Sequence, residues 1–162
     1  MVSSGNFAVD SNSFAANTDM DRIGVTGWSY GGYLSLRFLG MRPDLFKVAI
    51  AGGPVTLWEA YDTGYTERYM DTPQNNPKGY AEASVLSLIH SFPDEEGRLL
   101  IAHGAVDENV HFCHSAILIE ELCKAGKPYQ LQLFPSERHG VRSSANLLHW
   151  ELTLFCFVKR NL

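Results

Sequence analysis

The sequence has few cysteines, no basic run and no long apolar stretch, and each shortage removes a class of protein. Cys113, Cys123 and Cys156 are its three cysteines. An odd count without a CxxC spacing argues against a disulfide framework and against a thiol–metal site. All three fall in apolar-patterned helical segments, which predicts buried, reduced thiols. The 13 Lys and Arg are outnumbered by 18 Asp and Glu, for a net charge of −5. That balance gives no electrostatic footprint for nucleic acid and no cationic face for anionic lipid. No run approaches the roughly 18 apolar residues of a membrane span. The opening stretch MVSSGNFAVDSNSFAANTDM lacks a basic start and an apolar core, so no secretory signal is expected there. A soluble, cytoplasmic protein without a membrane or nucleic-acid partner is the expectation, and no cofactor motif is present.

What the sequence does contain is the composition of a globular domain. Of its 162 residues, 45% are hydrophobic and 19% charged, enough apolar material for a core. Residues 1–18 are rich in Ser, Asn, Ala and Gly without a period, and are expected to form a loose tail. Beyond them, strand and helix patterns alternate. Strands are expected at 22–26 (RIGVT), 47–51 (KVAIA), 98–103 (RLLIAH) and 129–134 (YQLQLF). Helices are expected at 31–41, 80–92, 110–125 with Gly126 as its stop, and 144–159 with Ser144 as its N-cap. Residues 55–70 read as short aromatic helices and 71–79 as a turn-rich loop. This alternation predicts an α/β fold, a parallel sheet of about four strands flanked by helices.

One pentapeptide carries chemistry. Gly27-Trp28-Ser29-Tyr30-Gly31 is a G-x-S-x-G motif between a predicted strand and a predicted helix, the context of a nucleophile elbow. The sharp turn lifts the serine oxygen above the sheet, with Gly27 and Gly31 expected where a Cβ would collide with backbone. The N–H of Tyr30 would then face a developing oxyanion. A serine hydroxyl needs an imidazole to take its proton, and the imidazole needs a carboxylate to orient it. In such folds the chain order is Ser, acid, His, each in a loop after a strand. Asp107 follows the third strand and His139 the fourth, so Ser29, Asp107 and His139 are the expected triad. Glu108 is an alternative acid. His103 ends a strand but precedes the acid, and reads as a core histidine. His111 and His114, with Asp107, admit a metal reading, although no third ligand has plausible spacing. His90 and His149 read as helix residues without a role.

The runs GWSYGGY (27–33), AGGPVTLWEAYDTGYTERYM (51–70), HGAVDENVH (103–111) and AGKPYQLQLFPSERH (125–139) resemble the prolyl oligopeptidase family of serine peptidases. Within it they are most similar to the dipeptidyl peptidase branch, in particular its dipeptidyl peptidase 8 and 9 subgroup. The resemblance covers nearly all of residues 19–162. It implies an α/β-hydrolase catalytic domain that releases N-terminal dipeptides with proline or alanine in second position. By motif matching it makes Ser29 the nucleophile, Asp107 the acid and His139 the base. It also implies that Val55, Trp58, Tyr61, Tyr65 and Val110 wall a proline pocket, and that Asn109 holds a substrate carbonyl. Proline's ring is apolar and rigid, which suits an aromatic slot. Read without the resemblance, the same aromatics also fit ordinary core packing.

The resemblance implies missing parts as well. Relatives carry a β-propeller that grips the substrate's amine, and a first half of the hydrolase sheet that contributes to the oxyanion hole. The expectation is therefore the C-terminal part of an α/β-hydrolase domain, truncated, with an exposed edge beside the elbow strand, marginal stability and uncertain activity. Relatives also dimerise partly through their C-terminal region, which makes residues 147–157 a candidate interface, with core burial as the equal alternative. Two other readings stand beside the peptidase: an esterase on the same scaffold, and a non-catalytic fragment acting as a binding module.

Overall fold

A computed structural model describes residues 19–162; the expected tail at 1–18 lies outside the described residues. Four parallel strands form one sheet in the order β1-β2-β3-β4. They are β1 Ile23–Trp28, β2 Phe46–Gly52, β3 Leu99–Gly104 and β4 Gln130–Phe134. Parallel neighbours require crossovers. Helix α1 Tyr30–Met41 supplies the first, α2 Thr63–Met70 and α3 Pro77–Ala83 lie in the second, and α4 Cys113–Lys124 forms the third. Helix α5 Ser144–Asn161 closes the chain.

Both faces of the sheet are covered, and the strand period shows how. On one side Ala49, Ala51, Leu99 and Ile101 meet Leu36 and Leu39 of α1 and Leu118 and Leu122 of α4. On the other, Val48, Ile50 and Leu100 meet Phe157, Trp150 and Leu154 of α5. Alternate residues of β2 and β3 thus enter different clusters, and every residue of β3 is buried. Among the described residues β1 is paired with β2 alone, so its other side is a sheet edge.

Several local expectations are corrected. The helix expected over 80–92 is interrupted at Ser84, which is extended (φ −63°, ψ 137°) and caps Leu86 with its hydroxyl. Short α3 therefore precedes a 3-10 turn at Val85–Ser91. Part of the expected loop at 71–79 is helical, because Asn76 caps Gly79 and Pro77 presets the first turn. The N-cap of α5 is Ser143 rather than Ser144, since it is the Ser143 hydroxyl that accepts from the Asn146 N–H. Cys113, Cys123 and Cys156 are all exposed. Leu118, Leu122 and Phe157 take the inward faces of α4 and α5, which turns the thiols outward.

His114 ties α4 to the loop after β2. Its Nδ1 accepts from the Thr56 N–H (3.2 Å), and the Thr56 hydroxyl donates to the His114 carbonyl (2.9 Å). Burial pushes this imidazole from the ordinary 6.5 down to about 4. The unfolded chain therefore binds a proton that the folded chain refuses as pH falls from about 6.5 to about 4, and the stability held above that window is lost within it. We expect the melting temperature, followed by circular dichroism, to fall over this window, and His114→Gln to flatten that part of the curve.

Candidate active site

The elbow begins at the end of β1. Ser29 has φ 59° and ψ −118°, a conformation that costs a non-glycine residue about 1–3 kcal/mol. Its surroundings hold it there. The Ser29 N–H donates to the Gly52 carbonyl (2.7 Å), and its carbonyl accepts from Tyr33 (3.0 Å). A Cβ on Gly27 would lie 2.4 Å from the Gly31 backbone, so glycine is required at that position. Gly31 differs from expectation: a Cβ there would meet nothing within 4 Å. The tight helix contact is made instead by Gly32, whose added Cβ would stand 2.7 Å from the Gly52 carbonyl. Tyr30 is the first residue of α1, where a backbone N–H has no partner within its helix.

The structure brings the other two expected residues to this hydroxyl. His139 Nε2 lies 3.0 Å from Ser29 Oγ, and His139 Nδ1 lies 2.8 Å from Asp107 Oδ2. The Asp107 side chain is fully buried and that of His139 is 25% exposed. Asp107 Oδ1 accepts from the N–H groups of Asn109 and Val110, both at 2.9 Å. Such donors compensate the loss of water around a buried carboxylate. With Nδ1–H donating to the acid, the neutral ring presents Nε2 as the acceptor for the serine proton. Glu108 is exposed and pairs with Arg138 at 3.4 Å, whereas Asp107 is the carboxylate that meets His139 Nδ1.

The loop bearing His139 is pressed against the acid's loop. Val106 N–H donates to the Glu137 carbonyl and Ala105 N–H to Phe134. A Cβ on Gly104 would lie 2.2 Å from the Arg138 carbonyl. The buried Glu137 carboxylate accepts from the N–H groups of Arg142 and Ser143 and from the Asn146 amide. The Arg142 N–H is the main cause of its lowered pKa. This carboxylate sits at the start of α5, where the helix dipole favours it.

Two positioning groups escape sequence reasoning: Glu137, which sits in a loop without a pattern, and Trp28. The Trp28 indole N–H donates to the His139 carbonyl (2.5 Å). Its ring lies over Gly52, where an added Cβ would come within 1.9 Å, and meets Trp150 edge to face at 6.0 Å. The only signal for Trp28 was its place as a variable residue of the pentapeptide.

Aromatic rings cluster beside the elbow through Tyr30. Trp58 stacks on Tyr65 (6.2 Å) and meets Tyr61 (6.0 Å), Tyr33 (5.1 Å) and Tyr30 (5.9 Å). Trp58, Val55 and Val110 are buried, whereas Tyr65 is 43% exposed. The Tyr61 hydroxyl donates to Asn109 Oδ1 (2.7 Å), and burial raises its pKa, keeping it a donor. The residues of the metal reading do not converge. His114 is occupied by Thr56, His111 is exposed, and no cluster of three His, Cys, Asp or Glu among the described residues could hold a metal. His90 is exposed, and His149 contacts Gln132 on β4.

Residues 9–162 match the model of the prolyl oligopeptidase family. The chain belongs to that family. Dipeptidyl peptidase 8 from Mus musculus and from Homo sapiens are each 56% identical over 144 residues, covering 89% of this chain and 16% of the relative. Dipeptidyl peptidase 4 from Bos taurus is 40% identical over 144 residues, covering 88% of this chain and 19% of the relative. A solved structure from Bacteroides ovatus, assigned as a dipeptidyl aminopeptidase IV, superposes with a TM-score of 0.84 at 34% identity. It covers 89% of this chain and 20% of that one. The four-stranded sheet is thus part of the α/β-hydrolase fold of the prolyl oligopeptidase family, and the identities agree with its dipeptidyl peptidase 8 and 9 branch. This member spans about a sixth of the length of the dipeptidyl peptidase 8 relatives. No helix among the described residues is long and apolar enough to cross a membrane.

Trp28→Phe keeps most of the ring packing and deletes one hydrogen bond to the histidine's loop. We expect labelling of Ser29 by a fluorophosphonate probe to slow by about tenfold, with the melting temperature changed by only a few degrees.

Proposed function

We propose that residues 19–162 are the catalytic part of a serine-type dipeptidyl peptidase, releasing N-terminal dipeptides that have proline or alanine in second position. One observation carries the reading: a single imidazole lies within hydrogen-bond distance of both the hydroxyl of a serine in a strained backbone conformation and a buried carboxylate. In this reading Ser29 Oγ attacks the scissile carbonyl while His139 Nε2 takes its proton. The resulting imidazolium is held by Asp107. The Tyr30 N–H stabilises the tetrahedral oxyanion. His139 then gives the proton to the departing amine, and water repeats the sequence on the acyl-enzyme.

The aromatic group fits the substrate side of the proposal. Val55, Trp58, Tyr61, Tyr65 and Val110 offer an apolar slot for the proline ring. Tyr61 engages Asn109 Oδ1, which leaves the Asn109 amide N–H groups to donate to a substrate carbonyl. A cytoplasmic setting suits three unpaired thiols. Self-association through residues 147–157 belongs to the same proposal, since Leu148, Leu152 and Phe155 stand exposed along α5. Phe157, by contrast, is buried against the sheet.

The test is labelling by a fluorophosphonate probe beside turnover of a Gly-Pro fluorogenic dipeptide. We expect the wild-type chain to be labelled and to release the fluorophore, and Ser29→Ala to lose both. Ester hydrolysis without a preference for proline would favour an esterase. Labelling absent from a folded wild-type chain would favour a non-catalytic module.

A further inference from the structure

A second buried histidine touches the acid of the triad. His103, the penultimate residue of β3, has no solvent exposure. Its Nε2 lies 2.8 Å from the Val110 carbonyl and 3.3 Å from Asp107 Oδ2. Its Nδ1 lies 2.7 Å from Ser115 Oγ on α4. A carbonyl oxygen only accepts, so the ring proton sits on Nε2 and the Ser115 hydroxyl donates to Nδ1. Burial is the main cause that lowers this histidine's pKa, so the ring is neutral. Phe112 packs edge-on against it at 5.5 Å.

We propose that His103 is a positioning residue for the catalytic acid, a neutral ring whose one N–H is shared between the Val110 carbonyl and the Asp107 carboxylate. The inference rests on the triad reading above and deepens it. Val110 is the hinge of the arrangement, because its N–H donates to Asp107 Oδ1 while its carbonyl accepts from His103. The turn from Asp107 to Val110 is thereby held at both ends. Asp107 Oδ2, the oxygen that receives His139 Nδ1–H, also lies 3.3 Å from His103 Nε2. With Oδ1 filled by two backbone N–H groups, the carboxylate has one orientation and so has the imidazole it holds. Neutrality matters, since a second cation beside Asp107 would oppose the imidazolium that forms on His139. Ser115 acts at one remove: by donating to Nδ1 it keeps the proton on Nε2, facing the acid.

The test uses the full chain and two readouts. One is the rate of fluorophosphonate labelling at Ser29. The other is the low-field proton signal of His139 Nδ1–H, which reports the bond to Asp107 without any turnover. His103→Leu removes the donor at similar volume. We expect it to slow labelling by about tenfold or more and to shift or erase the Nδ1–H signal. His103→Gln, whose amide N–H still reaches Val110, recovers most of both. Ser115→Ala gives a smaller change in the same direction. The proposal is overturned if His103→Leu matches the wild type, or if Leu and Gln slow labelling equally while the His139 signal stays in place. Should His103→Leu fail to fold, Ser115→Ala decides on the same readouts, and no change in either overturns the proposal. A wild-type chain that resists labelling, yet whose His139 signal responds to the His103 variants, would sink the peptidase reading and leave the positioning role standing.

Discussion

The imidazole of His139 meets a hydroxyl that follows β1 and a carboxylate that follows β3, although it is itself carried by the loop after β4. Only a parallel sheet brings three such loops to one rim, because all four strands then end on the same side. The rest of the described structure serves that meeting. Strand β2 separates β1 from β3 and supplies the Gly52 carbonyl that receives the Ser29 N–H. The absence of a side chain at Gly52 lets Trp28 pack over it and reach the histidine's carbonyl. Gly104 lets the last loop close on the third. Each glycine marks a place where two parts of the site approach more closely than a side chain allows.

Energetically the site is unfavourable in isolation. It holds a serine in a strained backbone conformation and a carboxylate away from water. A buried charge without partners costs several kcal/mol. The compensation is local and specific: two backbone donors and the His139 N–H on Asp107, with His103 Nε2 3.3 Å from the same carboxylate. The second carboxylate, Glu137, gathers three donors at the start of α5 and binds the histidine's loop to that helix. Stability and function therefore draw on the same hydrogen bonds, and the pH at which the buried histidines protonate bears on both.

Much of this was legible in the sequence. The βα alternation predicts the parallel sheet because buried strands read as apolar runs between turn residues, and the positions of all four strands agree with it. The chain order of Ser29, Asp107 and His139 follows from the fold and needs no coordinates. What the sequence hides is contact between loops. Nothing in the spacing tells that Trp28 reaches His139, a partner far along the chain, or that Glu137 caps a helix from a loop position outside the N-cap pattern. The break at Ser84 is hidden for a related reason. It follows from the Ser84 hydroxyl and from the pairing of Val85 N–H with the Thr56 carbonyl, a tertiary contact that overrides helix propensity. The cysteines show that an apolar-patterned helix does not say which residues face inward until the strand beneath is known.

The central claim is spatial, and a crystal structure of the chain after reaction with a fluorophosphonate tests it directly. The account predicts phosphorus bonded to Ser29 Oγ, a phosphoryl oxygen within hydrogen-bond distance of the Tyr30 N–H, and the His139 ring still donating to Asp107. Phosphorus on another residue, or a His139 ring turned away from Asp107 beside a modified Ser29, would contradict it.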